Sequence, residues 1–243
     1  ASVVWEGTKV NIIDTPGHAD FGGEVERVLQ MADGALLLVD AQEGPMPQTL
    51  FVLKKALARK LKIIVVVNKI DRPNARVKWA LEKVYDLFIE LGADDAQVDF
   101  PVVYASALQG KAGLAADLAT MTDIAPLFGA IVQHIPPPSA AADLPLQLMA
   151  VALAYDNYVG KIATGRLSQG RIAVGDTVLH LRRDGTQAPV KVATLMTYVG
   201  LQRAAADSAI AGDIVAISGI ADISIGDTLT DIEHPQPTPQ HQQ

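Results

Sequence analysis

Val10-Asn11-Ile12-Ile13-Asp14-Thr15-Pro16-Gly17-His18-Ala19-Asp20-Phe21 is a largely apolar run that ends on an acid and leads into a tight turn. Its first residues read as a buried strand closed by Asp14, and Pro16-Gly17 turns the chain sharply. From Val25 onward, Val28, Leu29, Met31 and Ala32 recur as one face of a helix would place them. An acid at a strand's carboxyl end, beside a glycine with a free N–H, suits a hydrated magnesium ion and a terminal phosphate. His18 would then stand beside the reacting phosphate. Taken alone, the stretch reads equally well as a strand, a turn and a solvated histidine.

The pattern continues on both sides. Val3 to Trp5 and Lys9 to Ile13, separated by Glu6-Gly7-Thr8, read as a β-hairpin. Gly34 to Asp40 is a continuous apolar strand, and Lys62 to Val67 is another, ending at Asn68. Pro47 opens a helix with apolar positions at 50, 53, 57 and 61. A longer helix from about Ala75 to Leu91 places 77, 81, 84, 88 and 91 on one face. Pro101 to Ala105 is a short strand, and Ile124 to Ile135 a last helix. Buried strands alternating with helices predict an α/β fold with a doubly wound, mostly parallel sheet. Pro136-Pro137-Pro138 breaks this rhythm, and Gly-rich turns such as Gly175-Asp176, Gly212-Asp213 and Gly226-Asp227 follow. They predict a small antiparallel β-barrel. The expected division is a nucleotide domain over residues 1–135, a linker over 136–145, the barrel over 146–231 and a disordered tail over 232–243.

Composition sets bounds on function. A net charge of −7 supplies no global basic field for nucleic acid, which leaves only local patches, and no DNA partner is expected. The absence of cysteine removes disulfides and thiolate metal sites and fits a reducing, cytoplasmic setting. No apolar run approaches the roughly 20 residues that span a bilayer, so no membrane partner is expected. The five histidines show no metal-ligand spacing.

Three predicted strand ends carry polar signatures, and ligands of such sheets bind outside the strands' carboxyl ends. They are Asp14-Thr15-Pro16-Gly17-His18, Asn68-Lys69-Ile70-Asp71 and Ser106-Ala107-Leu108. A carboxylate such as Asp71 accepts from two adjacent N–H groups, which guanine offers and adenine does not. Lys69 can lay its aliphatic stem on a base, Asn68 can tie neighbouring loops, and a backbone N–H near Ala107 can donate to the guanine carbonyl. Each motif alone is weak, but their order and placement together favour a guanine-nucleotide site.

With these motifs, the runs Gly22-Gly23-Glu24-Val25-Glu26-Arg27-Val28, Asp40-Ala41-Gln42-Glu43-Gly44-Pro45-Met46-Pro47-Gln48-Thr49 and Phe100 to Ala107 make the chain resemble the translational GTPases. These are the class of elongation factors G and Tu, and the resemblance is to their BipA (TypA) branch in particular. Gly165-Arg166-Leu167 and Ala211 to Ile217 resemble the barrel that follows the P-loop-GTPase-type domain. The resemblance covers residues 1 to 231. It implies GTP and GDP as ligands, with Mg²⁺ held through water by Asp14. Thr15, Pro16 and Gly17 would form the phosphate turn, the Gly17 N–H binding the γ-phosphate, and His18 would orient the attacking water. The implied partner is the ribosome, whose sarcin–ricin RNA loop would position that histidine. Roles in ribosome assembly and in stress or cold adaptation are implied as well.

One family motif does not occur. No Gly-x-x-x-x-Gly-Lys-Ser/Thr lies in the 243 residues, and Ala105 to Ala112 is only a partial look-alike. The chain therefore reads as an interior fragment without its first strand, P-loop and first switch. About five missing charge-assisted contacts at roughly 1.5–3 kcal/mol each rival the free energy of a nanomolar complex, so weak or no GTP binding by these residues alone is expected. A sheet lacking that strand would have unpaired edges and tend to self-associate. The alternative is a non-catalytic ribosome- or partner-binding module that uses the barrel. Lys161, Arg166, Arg171, Arg182, Arg183 and Lys191 could face RNA or simply be solvated.

Overall fold

The computed structural model describes residues 1–15, 22–139 and 141–237. The chain forms two compact units, one of Ala1–Asp14 with Pro138–Gln243 and the other of Thr15–Pro137.

β1 (Ser2–Trp5) and β2 (Thr8–Asn11) pair antiparallel, with Val3 opposite Val10 and Trp5 opposite Thr8. Glu6 and Gly7 both take positive φ (46° and 77°), as a two-residue turn with primed geometry requires. Two findings differ from the sequence reading. The strand stops at Asn11 and is not buried: Thr8 and Lys9 are exposed, Val10 and Asn11 half-buried, and Ile12 beyond it is 47% exposed. The hairpin also belongs with the barrel, where the Ser2 N–H donates to Gly200 O (2.8 Å) and Ser2 Oγ to Tyr198 O (2.9 Å). An isolated two-stranded ribbon has no second layer to cover its faces and gains stability only from what it leans on. The expected 1–135 domain therefore begins, in the structure, at Thr15.

The Thr15–Pro137 unit contains α1 (Gly22–Gln30), β3 (Gly34–Asp40), α2 (Pro47–Ala58), β4 (Lys62–Asn68), α3 (Val77–Glu90), α4 (Asp95–Val98), β5 (Val102–Ser106), β6 (Lys111–Gly113) and α5 (Ala125–His134). The sheet order is β3-β4-β5-β6; the first three strands are parallel and β6 closes one edge antiparallel. β4 explains the arrangement. Its residues Ile63 to Val67 are all buried, so both faces must be covered. Ile63, Val65 and Val67 pack with Leu53 and Leu57 of α2 and Val84 and Phe88 of α3, while Ile64 and Val66 pack with Ala130 of α5. Phe100 stacks on Tyr85 and meets Phe88 at a tilt, with ring centroids 4.7 and 4.6 Å away. Three short elements were not anticipated: β6, α4 and a single 3-10 turn at Leu118–Thr120. β6 has too few residues to show a period, and α4 is a single turn held by the reciprocal Asp94–Gln97 capping box.

β3 pairs with β4 along its inner edge only, among the described residues. Leu36 and Leu38 lie on the face that α5 covers over β4, yet they are 38% and 63% exposed. The outer edge of β3 is thus apolar and unpaired among the described residues.

The other unit contains β7 (Gln147–Met149), β8 (Ala152–Asp156), β9 (Gly160–Gln169), β10 (Arg171–Ala173), β11 (Thr177–Leu181), β12 (Gln187–Lys191), β13 (Thr194–Val199), β14 (Gln202–Ala205), β15 (Ser208–Ile210), β16 (Ile214–Ser218) and β17 (Thr228–Thr230). All pairings are antiparallel, in the order β12-β11-β17-β7-β9-β16-β13-β14, with β8 also on β9 and β10 paired with β15. Strands near both ends of the order, β11 through Val178 and β13 through Leu195, share one core with Leu148, Leu167, Ile172, Ile217 and Leu229.

Buried among these strands, His180 Nε2 donates to Asp227 Oδ2 (2.7 Å), a carboxylate that also accepts the Ser224 and Arg183 N–H groups. The expected disordered tail is ordered in its first part. Gln236 N donates to Thr230 Oγ1, and Gln147 Nε2 donates to the carbonyls of Gln236 and Pro237. A Pro/Gln-rich segment has little to bury, and backbone acceptors hold it instead. Residues 238–243 lie outside the described residues.

β9 passes so close to the β7–β8 junction that a Cβ on Gly165 would sit 2.0 Å from Met149 O. Gly165→Ala is therefore expected to force the strands apart and cost at least about 2 kcal/mol. Chemical denaturation of the barrel followed by circular dichroism checks it.

Candidate functional site

Because β3, β4 and β5 are parallel, their carboxyl ends leave the sheet on one edge. Asp40 ends β3 in register with Asn68, which ends β4. Ser106 ends β5. Three loops converge here.

Asn68 ties them. Its side-chain Oδ1 accepts the Ala107 N–H (3.0 Å), and its carbonyl accepts the Ala41 N–H (2.9 Å). The next residue, Lys69, has φ +64°, a left-handed conformation that costs a lysine roughly 1–2 kcal/mol. That turn sends its ammonium to Asp40 Oδ2 at 2.7 Å. The Ile70 N–H reaches the Ala105 carbonyl (3.3 Å), so the loops after β4 and β5 are joined twice. Asp71 is half-buried, and its carboxylate has no hydrogen-bond partner among the described residues. Ser106 is fully buried, with Oγ accepting the Gln109 N–H at 3.4 Å.

The structure separates the two N–H groups of the Ala107–Leu108 loop. The Ala107 N–H already donates to Asn68, whereas the Leu108 N–H has no acceptor among the described residues, and Leu108 is 91% exposed. The free donor on this loop is therefore Leu108. The edge combines a free carboxylate, a free N–H and an alkyl stem held by its charged end. That set matches a planar base with two adjacent donors and one carbonyl.

Asp14, the expected magnesium ligand, is exposed with no partner among the described residues, and Thr15 is half-buried. Pro16, Gly17 and His18 lie outside the described residues. Among the described residues no three His, Cys, Asp or Glu side chains cluster as a metal site, and no helix is long and apolar enough to cross a membrane. Of the candidate RNA-facing cations, Lys161 Nζ donates to Ile223 O (3.0 Å), Arg171 lies 3.8 Å from Asp143, and Arg182 grips Asp222 through Nε and a terminal nitrogen (2.9 and 2.7 Å). Two of these six cations, Arg171 and Arg182, thus lie against acids.

The sequence reading missed Asp40 as the partner of Lys69. The available signal was an acid ending an apolar strand parallel to the one that carries Asn68. Residues 1–137 match the family described as the elongation factor Tu GTP binding domain, and residues 160–230 match elongation factor Tu domain 2. The chain belongs to the elongation factor Tu GTP-binding family. Its family match includes residues 1–14, the stretch that the structure groups with the barrel. It is 51% identical to the large ribosomal subunit assembly factor BipA of Haemophilus influenzae, covering 95% of this chain and 37% of that protein. The Synechocystis protein of the same name is 52% identical, with 98% and 40% covered. The chain thus spans about two fifths of the length of these relatives. Translation elongation factor SelB from Methanococcus maripaludis, solved with the GTP analogue GPPNHP, shares the fold at a TM-score of 0.73 and 22% identity, over 96% of this chain and 49% of that one.

The Asp40 carboxyl is held below the usual carboxylate range, first by the Lys69 hydrogen bond and then by the N–H groups of Gln42 and Glu43, against the opposing effect of burial. A lowered folded-state pKa adds stability that is complete above the ordinary carboxylate pKa and is lost as the pH falls through the lowered value. The thermal midpoint difference between wild type and Asp40→Asn should therefore be steady above about pH 5 and close progressively below it, as scanning calorimetry across pH would report.

Proposed function

We propose that this chain is part of a GTP hydrolase that works on the ribosome in large-subunit assembly, and that the three-loop edge holds the guanine base of GTP or GDP. One observation carries the base assignment. Asp71 is left with a free carboxylate and Leu108 with a free N–H on loops that Asn68 locks together. In this reading Asp71 accepts the guanine ring N–H and exocyclic amine, Leu108 donates to the carbonyl, and Lys69 covers one base face. Adenine presents an acceptor where Asp71 needs a donor, so burying it there would leave unpaired polar groups at a cost of about 1–3 kcal/mol each.

The phosphate end rests on Asp14, Thr15, Pro16, Gly17 and His18. Asp14 offers a single free hard-oxygen donor, which fits a Mg²⁺ ion that keeps most of its waters and takes its other ligands from phosphate. When bound, that ion would neutralise charge on the phosphates. His18 is assigned the attacking water, with the sarcin–ricin loop of ribosomal RNA as the element that positions it. The setting is the cytoplasm, and the stress or cold role belongs to the same reading. The names of the 51% and 52% identical relatives support the ribosomal assignment.

Since no Gly-x-x-x-x-Gly-Lys-Ser/Thr occurs in the 243 residues, the base term is best isolated with monophosphates. Titration with GMP and AMP, followed by nuclear magnetic resonance, should shift the amides of Ile70, Asp71 and Leu108 with GMP alone. Asp71→Asn should weaken GMP by roughly 10- to 100-fold. It should favour xanthosine monophosphate, whose second carbonyl can accept from the new amide. Equal shifts with AMP and GMP would sink the base assignment.

A further inference from the structure

The lysine of the base-recognition loop does not stand alone. Lys69 gives its ammonium to Asp40 Oδ2, while Asp40 Oδ1 accepts the N–H groups of Gln42 (2.7 Å) and Glu43 (3.2 Å). Asp40 therefore shapes its own loop and holds a side chain of the next loop at once. That loop is gripped from the start of α3. The Arg76 N–H donates to Ala41 O (2.8 Å), and an Arg76 terminal nitrogen donates to Gln42 O (2.8 Å). The Arg76 guanidinium lies 3.6 Å from the centre of the Trp79 ring. Trp79 in turn packs over Gly44, where a Cβ would sit 3.0 Å from the ring, and the Gly44 N–H returns to Asp40 O (2.9 Å). The chain of contacts runs from Trp79 through Arg76 and residues 41–44 to Asp40, and ends on Lys69.

We infer that Asp40 is a positioning residue for base recognition, braced by Arg76 on Trp79, which sets the Lys69 stem in place before a base arrives. The inference rests on the guanine reading above. A lysine stem free to rotate loses side-chain entropy when it lies down on a base, and a stem already anchored at its charged end has lost it beforehand. The positive φ of Lys69 serves the same end, because it aims the side chain back across the sheet edge toward β3. Such a brace acts on affinity. Base identity stays with Asp71 and Leu108.

The test uses the whole 243-residue chain with lysine side chains labelled with ¹³C and ¹⁵N, first without ligand and then with GMP as probe. The wild-type chain should show a Lys69 ammonium in slow exchange, with a restricted Cε signal unlike that of exposed Lys78. In Asp40→Asn, whose amide oxygen can still accept from Gln42 and Glu43, the Lys69 signal should collapse to that of Lys78. GMP should weaken by roughly fivefold, with guanine-over-adenine preference unchanged. Asp40→Glu should recover part of both effects. Arg76→Ala, with Asp40 intact, should mobilise Lys69 in the same direction, a change that lost stability alone would not produce. A wild-type Lys69 as mobile as Lys78, or an Asp40→Asn variant with unaltered Lys69 signals and GMP affinity, would overturn the inference. An ordered Lys69 in a chain whose Ile70, Asp71 and Leu108 amides shift equally with GMP and AMP would instead overturn the guanine reading and leave the pre-positioning of Lys69 supported.

Discussion

Asn68 has one side-chain amide, and its oxygen accepts the Ala107 N–H at 3.0 Å. Most of what the sheet edge can do depends on that contact. It joins the loop after β4 to the loop after β5 and removes Ala107 from the set of free donors. The free N–H thereby passes to Leu108. The bond is possible only because β4 and β5 are parallel neighbours that end at nearly the same level, with Val67 opposite Tyr104. That alignment follows from β4, whose buried run Ile63 to Val67 requires helices on both faces and strands on both sides. A packing requirement in the middle of the sheet thus determines which polar groups meet at its edge.

The same edge shows how charge is used sparingly. Asp40 and Lys69 satisfy each other at the surface of the sheet, with Asp40 the more buried partner at 15% side-chain exposure and Lys69 at 42%. A pair this open adds little to overall stability. Its effect is geometric: it fixes a long flexible side chain beside a carboxylate, Asp71, that stays uncommitted. The barrel makes the opposite choice with His180 and Asp227. That pair is buried, and it binds β11 to the turn before β17 through a carboxylate that accepts from one ring and two backbone N–H groups. Removing either partner would strand a buried polar group, which is why such pairs hold strands in register rigidly.

Long, strongly patterned elements were legible in the residues. The apolar runs at 34–40 and 62–68 and the amphipathic spacing at 77–91 correspond to β3, β4 and α3, because burial on two faces or one leaves a periodic trace. Shorter elements were not, since β6 and α4 are held by a neighbour and a cap and carry no period. The hairpin at residues 2–11 was recognised as a hairpin; the family match places it with the GTP-binding domain, whereas its contacts in the structure group it with the barrel. Alternating apolar residues say that a strand wants cover, and they do not say which surface provides it.

At the candidate site, the sequence by itself determined the residue types, Asn68, Lys69, Asp71 and Ser106 to Leu108, and their place at strand ends. Those follow from local pattern and from the chemistry that each side chain can offer. Only the tertiary structure decided that Asn68 uses the Ala107 N–H, that Leu108 is left free, and that Lys69 is held by Asp40 with Arg76 and Trp79 behind it. These pairings join residues far apart in the chain, and their choice depends on strand order and register. Hydrogen bonds are selected by distance and direction, and neither exists until the sheet is assembled.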